Sequence, residues 1–128
     1  GSITASEISG TANITASLSG TTSNQININV IKPSLVNVTA SADPTTNTIG
    51  GTGKFVLMGT YNNGKTREMN YYDRTQAQIG IQIIGGSISF VNTPEIFGYT
   101  GVSTGEATIY FTDYRDGITI NPVTVTIN

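Results

Sequence analysis

The 128-residue chain has no cysteine and no histidine. The first absence excludes disulfide staples and thiol catalysis. The second excludes Ser-His-Asp triads, and the two together exclude ordinary zinc sites. Lack of cysteine fits either side of a cell envelope, so it says nothing about compartment. Tryptophan is also missing. Charge is scarce, at 11% of residues against about 25% in an average domain. The net charge is −2 and the sequence pI is about 4.8. With no run of Lys or Arg there is no electrostatic footprint for nucleic acid or anionic lipid. No apolar stretch approaches the roughly 18 residues that span a bilayer as a helix. No signal peptide is visible; Gly1-Ser2 reads as a vector remnant, with the native start expected upstream.

Thr, Ser, Asn and Gly stand where charge is missing, a mixture suited to strands with one wet face and to polar turns. The dominant signal has period two. Ala12, Ile14, Ala16 and Leu18 alternate with Asn13, Thr15 and Ser17. Ile26, Ile28 and Val30 alternate with asparagines, and Val36, Val38 and Ala40 with Asn37 and Thr39. Phe55, Leu57, Gly59 and Tyr61 share one face, as do Ile79, Ile81 and Ile83. Ala107, Ile109 and Phe111, and then Val123, Val125 and Ile127, complete the set. Each segment reads as a half-buried strand.

Turn signals separate these runs. Asn62-Asn63-Gly64 predicts a hairpin whose turn residues take φ > 0, while Ser19-Gly20, Gly85-Gly86 and Asp116-Gly117 are weaker signals. Asp43-Pro44 and Gly50-Gly51-Thr52-Gly53 bracket a loop or a kink at which the chain changes sheet. Met69 to Gln78 reads as a short helical turn or an irregular loop. Short strands between tight turns predict an all-β sandwich or barrel.

The motif Gly10-Thr11-Ala12-Asn13-Ile14 returns as Gly105-Glu106-Ala107-Thr108-Ile109, an offset of 95 (10 to 105), about one sandwich domain. The same offset carries Ile28 to Val123 and Val30 to Val125. Residues 1–32 therefore read as the last two strands of a preceding repeat, or as an extra hairpin docked on the main domain. Residues 33–128 read as one complete repeat of a tandem array.

Val36-Asn37-Val38-Thr39-Ala40 with Asp43-Pro44, then Ile49-Gly50 leading to Phe55, Gly59-Thr60-Tyr61-Asn62-Asn63-Gly64-Lys65-Thr66, Gly105-Glu106-Ala107-Thr108-Ile109 and Val123-Thr124-Val125-Thr126-Ile127 follow one another in a familiar order. In these segments the chain resembles the bacterial immunoglobulin-like domain group 2 family (BIG2), over nearly all of Leu35–Asn128. The resemblance implies an immunoglobulin-like antiparallel β-sandwich. It also implies a spacer or a weak binder of host proteins or surface glycans, in bacterial surface proteins or phage virions. The sequence departs from the family in its middle, where the usual Trp-Ser-Ser is replaced by Ile79-Gly80-Ile81-Gln82-Ile83 and Ser87-Ile88-Ser89-Phe90-Val91. Phe90 or Tyr71 is expected to fill the missing tryptophan's volume.

Candidate chemistry is sparse. Glu95 and Glu106 are a conceivable carboxylate pair, but no other polar groups of a sugar-cleaving cleft accompany them in the sequence. Gly50-Gly51-Thr52-Gly53-Lys54 lacks the spacing and the following helix of a phosphate loop. Asp113 and Asp116 in a hairpin tip, with backbone carbonyls, offer oxygens for calcium, which wants six to eight of them. The alternative is a solvated turn with Asp116-Gly117 at φ > 0, and Arg115 between the acids favours it. Six tyrosines are present. Tyr71, Tyr72, Arg74 and Tyr114 are the expected members of any patch that binds a host protein or glycan, because tyrosine joins apolar area to a polar tip. Tyr110 is expected on an outer sheet face. The sequons at Asn13 and Asn37 fall on predicted strands and read as chance.

The expected function is a non-catalytic structural or spacer module of a tandem-repeat surface or virion protein, located outside the cell. The alternative is an adhesion module working through loop aromatics. Neighbouring repeats are the expected partners, with no nucleic acid, no membrane insertion and no cofactor. Because a lone strand pair is marginal in water, residues 3–31 are expected to dock on the main domain or to exchange strands with a second chain.

Overall fold

A computed structural model describes residues 2–5 and 8–128; Gly1, Ser6 and Glu7 lie outside the described residues. The chain divides into two compact units, residues 1–34 and 35–128.

The first unit is a two-stranded antiparallel ribbon made of two short ladders. Strand β1 (Gly10–Ile14) pairs antiparallel with β4 (Ile26–Val30), and β2 (Ser17–Leu18) pairs with β3 (Thr21–Thr22) nearer the tip. Ser19 and Gly20 make the tip, with φ of 48° and 82°. Two successive residues at positive φ give a turn whose twist matches the flanking strands. Between the two ladders the Ala16 N–H donates to the Ser23 Oγ at 2.9 Å and the Ser23 N–H to the Ala16 carbonyl at 2.7 Å.

The second unit is an immunoglobulin-like antiparallel β-sandwich. One sheet holds β5 (Leu35–Asp43), β7 (Thr52–Tyr61), β10 (Ile88–Asn92) and β11 (Phe97–Gly101) in the order β10-β11-β7-β5, with β8 (Thr66–Glu68) also on β7. The other holds β6 (Thr46–Asn47), β9 (Ile79–Ile84), β12 (Gly105–Asp113) and β13 (Val123–Ile127) in the order β6-β13-β12-β9. Read along the chain, these orders are the D-E-B-A and G-F-C arrangements of an immunoglobulin domain. The change of sheet read between Asp43-Pro44 and the glycine run is real. β5 lies in the first sheet, and β6, just beyond Pro44, pairs parallel with β13 in the second. The Thr126 N–H donates to the Thr45 carbonyl at 2.8 Å and the Asn128 N–H to the Asn47 carbonyl at 2.9 Å.

The alternation sorts side chains as expected. Ala107, Ile109, Phe111, Val123, Val125 and Ile127 are at most 7% exposed, while Tyr110 on the outer face is 40% exposed. Five aromatic rings fill the centre. Phe55 lies 5.4–6.0 Å, centroid to centroid, from Phe90, Phe97, Tyr99 and Phe111. Phe90 helps to fill this centre. Tyr71 does not: it is 41% exposed. The Tyr99 hydroxyl donates to the Pro44 carbonyl. Its ring also explains Gly53, where a Cβ would stand 2.3 Å from the ring.

Two turns differ from expectation. Between β7 and β8 the hairpin forms, but of Asn62, Asn63 and Gly64 only Gly64 has positive φ, at 78°. The Gly64 N–H donates to the Tyr61 carbonyl and the Tyr61 N–H to the Lys65 carbonyl, each at 2.9 Å. This is the three-residue loop, a type I turn closed by one left-handed glycine. The Asp116-Gly117 tip likewise has one left-handed residue, Gly117 at 69°. The stretch from Met69 holds helix α1 (Tyr71–Gln76).

Candidate functional site

The predicted site residues cluster around α1 and the turn after β12. The helix is short but well capped. The Asn70 side chain accepts from the Asp73 N–H at 2.9 Å, and the Asp73 carboxylate accepts from the Asn70 N–H at 3.1 Å. This reciprocal pair satisfies two N–H groups that a helix start leaves free. Asp73 also holds Arg67 at 3.1 Å, and the Arg67 guanidinium lies 4.9 Å from the Tyr61 ring centroid. The helix is thereby fastened to the β7–β8 hairpin.

Arg74, expected beside the exposed tyrosines, is 7% exposed and belongs to the packing. Its guanidinium lies 4.0 Å from the Phe97 ring centroid and donates to the Met69 carbonyl at 2.8 Å and weakly to Asn92 Oδ1 at 3.4 Å. Its Nε is buried without a partner. Burial pulls the Arg74 pKa below its ordinary value, opposed by the nearby Glu68 and Asp73 carboxylates.

A groove of about 400 Å³ opens where β8 and β11 leave the same edge of β7. Lys54, Glu68, Asn70, Tyr71, Arg74 and Glu95 are among its lining groups. A smaller hollow of about 260 Å³ shares Tyr71 and Arg74 and reaches Ile79, Ile81 and Asn92. The larger volume lies within the range of small-ligand sites, and its polar groups could bind hydroxyls or a carboxylate. Glu95 thus has polar company that its place in the sequence does not reveal. Glu106 is not with it; it lies exposed on β12, opposite Thr126 of β13.

Tyr72 and Tyr114 are 61% and 70% exposed. Tyr114 follows β12, and its ring edge rests on Gly80 of β9, where a Cβ would stand 2.3 Å from Cε2. The two acids of the turn have separate duties. Asp113 is 2% exposed; its Oδ1 accepts from the N–H groups of Arg115 and Asp116, each at 3.0 Å. Asp116 stands 3.8 Å from the Arg115 Nε. Among the described residues no group of three or more His, Cys, Asp or Glu side chains is placed to hold a metal. No helix among them is long and apolar enough to cross a membrane.

No protein-family model matches the sequence, and no curated protein matches it. Solved structures do. Invasin, a bacterial integrin-binding protein, superposes with a TM-score of 0.63 at 16% identity, covering 94% of this chain and 25% of that one. Domains 4 and 5 of the S-layer protein SbsC match with a TM-score of 0.43 at 19% identity, over 94% of this chain and 58% of theirs. The chain spans about a quarter of the length of the invasin chain. The invasin likeness agrees with the immunoglobulin-like sandwich and, at this identity, speaks for the fold alone.

Proposed function

We propose that the chain is a non-catalytic, immunoglobulin-like spacer module of a tandem-repeat protein on a bacterial surface or a phage virion, a diverged relative of the group 2 domains it resembles. One observation carries this reading: the first unit repeats the last strand pair of the second. Ala12 pairs with Ile28 and Ile14 with Ile26, as Ala107 pairs with Val125 and Ile109 with Val123. Pairing sets the offset of the second strand at 97 (28 to 125) rather than 95, and the two-residue difference falls in the connecting loop. An even shift keeps every side chain on its own face. The apolar face that these residues bury in the second unit is only partly covered in the first, where Ile26 is 63% exposed and Ile14 and Ile28 are half-buried. Residues 1–34 thus have the form of a final strand pair whose covering sheet would come from a preceding repeat. The scarcity of charge suits a scaffold more than a binding surface.

Labelling the native source with antibody to this chain, viewed by electron microscopy, tests the reading. Label on cell envelopes or on phage particles supports it; label confined to the cytosol refutes it.

The exposed Tyr71, Tyr72 and Tyr114 favour a second reading, adhesion to a host protein or glycan. Binding of the chain to immobilised matrix proteins or glycans, lost on replacing these tyrosines by alanine, would select it over a bare spacer.

A further inference from the structure

A β-sandwich has four strand edges, and a bare edge invites pairing with another chain unless something blunts it. Three edges here are blunted. β6 is two residues long. β5 carries an irregularity between Leu35 and Asn37 and ends in Asp43. β10 runs out into Pro94 and Glu95, and Asn92 at its end meets Arg74. The fourth, β9, has none of these devices, although α1 packs beside its first residues. Its six residues, Ile-Gly-Ile-Gln-Ile-Ile, pair in unbroken register with β12 and with no other strand among the described residues. From Thr75 to Pro94 the chain carries no charged residue. The inward Ile79, Ile81 and Ile83 remain half-exposed, whereas Ile109 and Phe111 opposite Ile83 and Ile81 are 0% and 4% exposed.

We propose that β9 pairs antiparallel with β9 of a second copy, giving a two-fold dimer in which two four-stranded sheets join into one. The sequence of the edge restricts the register. Residues directly opposite each other must share a face, so the two-fold axis passes beside Ile81 or beside Gln82. Centring on Gln82 places Gln82 opposite Gln82 of the second copy, and Ile84 opposite its Gly80. Gly80 is the residue on which the Tyr114 ring edge rests. Ile84 and Tyr114, 57% and 70% exposed in the single chain, then cover each other at both ends of the seam. On the inner side, Ile81 of one copy meets Ile83 of the other. A register centred on Ile81 leaves Ile84 without this contact, so Gln82 is the centre. Such an interface is self-complementary, as a closed two-fold requires. The inference does not rest on the array reading above.

Single-cysteine variants test it cleanly, because these 128 residues include no cysteine. Directly opposed residues in antiparallel strands have Cα atoms about 4.5–5.5 Å apart, within disulfide reach. Mild oxidation of full-length Gln82→Cys is expected to give a disulfide-linked dimer at a concentration where Thr124→Cys, on the same outer face but on β13, stays monomeric. Wild type is expected to sediment as a dimer. Gln82→Lys, which sets like charges opposite each other, is expected to weaken it at least tenfold, and mixing Gln82→Lys with Gln82→Glu to restore it. Circular dichroism establishes that each variant folds; if Gln82→Lys does not, the cysteine pair decides. A wild type that sediments as a monomer at every concentration reached overturns the proposal. So does a dimer indifferent to Gln82→Lys, or equal cross-linking of Gln82→Cys and Thr124→Cys.

Discussion

Replacing Arg74 by alanine should destabilise the second unit by about 3 kcal/mol. The guanidinium makes a charge-assisted hydrogen bond to the Met69 carbonyl at 2.8 Å, and such bonds contribute about 1.5–3 kcal/mol. It lies 4.0 Å from the Phe97 centroid, a contact that reaches about 2 kcal/mol when desolvated. Against these stands the cost of burying a cation whose Nε has no partner, several kcal/mol before compensation. The pair of favourable contacts roughly cancels that cost in the intact protein. The truncated protein, however, loses the packed stem and leaves the Met69 carbonyl without its donor, which is where the net loss arises. Arg74→Met keeps most of the stem and relieves the buried charge, so it should cost less, about 1–2 kcal/mol from the unpaired carbonyl alone. Urea unfolding followed by far-ultraviolet circular dichroism reads both, and the losses should persist in high salt because the group is buried. If Arg74→Met proves as stable as wild type or more so, the burial cost outweighs the contacts and the residue is no brace.

Three other outcomes follow from the geometry. Phe55→Ala removes the ring that touches four others and should cost about 3–5 kcal/mol in the same assay. Gly85→Ala should cost more than the ~1 kcal/mol of an ordinary left-handed glycine, because φ is 102° and the new Cβ would stand 2.2 Å from the Glu106 carbonyl; thermal melting checks it. Calcium should leave the melting temperature unchanged and give no heat on titration: Asp113 Oδ1 already accepts from two backbone N–H groups, its buried Oδ2 is one oxygen where calcium wants six to eight, and Asp116 neighbours Arg115. A calcium-dependent rise of several degrees would show that the turn rearranges into a cage.

The long strands were legible because each has one wet face, and alternation over five or more residues has no other common meaning. β6 and β8 are too short to alternate, and the glycines of Phe97–Gly101 hide the pattern of β11. Helix α1 carries a readable start, Asn70 with Asp73 three residues on, but its six residues show no period. Its start is capped locally by Asn70 and Asp73, while its C-terminal end meets a residue distant in sequence, Arg115, whose guanidinium donates to the Gln76 carbonyl. The same holds for Arg74. An arginine between tyrosines suggests an exposed patch, and only Phe97 and the Met69 carbonyl, brought together by the fold, make it an interior residue. Exposure at Tyr110 could be inferred from strand parity and at Tyr114 from turn chemistry. The polar company of Glu95 could not, because Lys54, Glu68 and Asn70 come from other parts of the chain.

The crossing of the chain between β5 and β6 has a mechanical consequence. The second unit begins at β5 and ends at β13, and β6 runs parallel to β13. Tension applied between the two ends therefore draws β6 and β13 apart along their shared axis. The bonds from Thr126 to Thr45 and from Asn128 to Asn47 are loaded together in shear and must break at once, rather than opening one by one like a zipper. A domain built this way resists pulling through the parallel pair that holds its last strand.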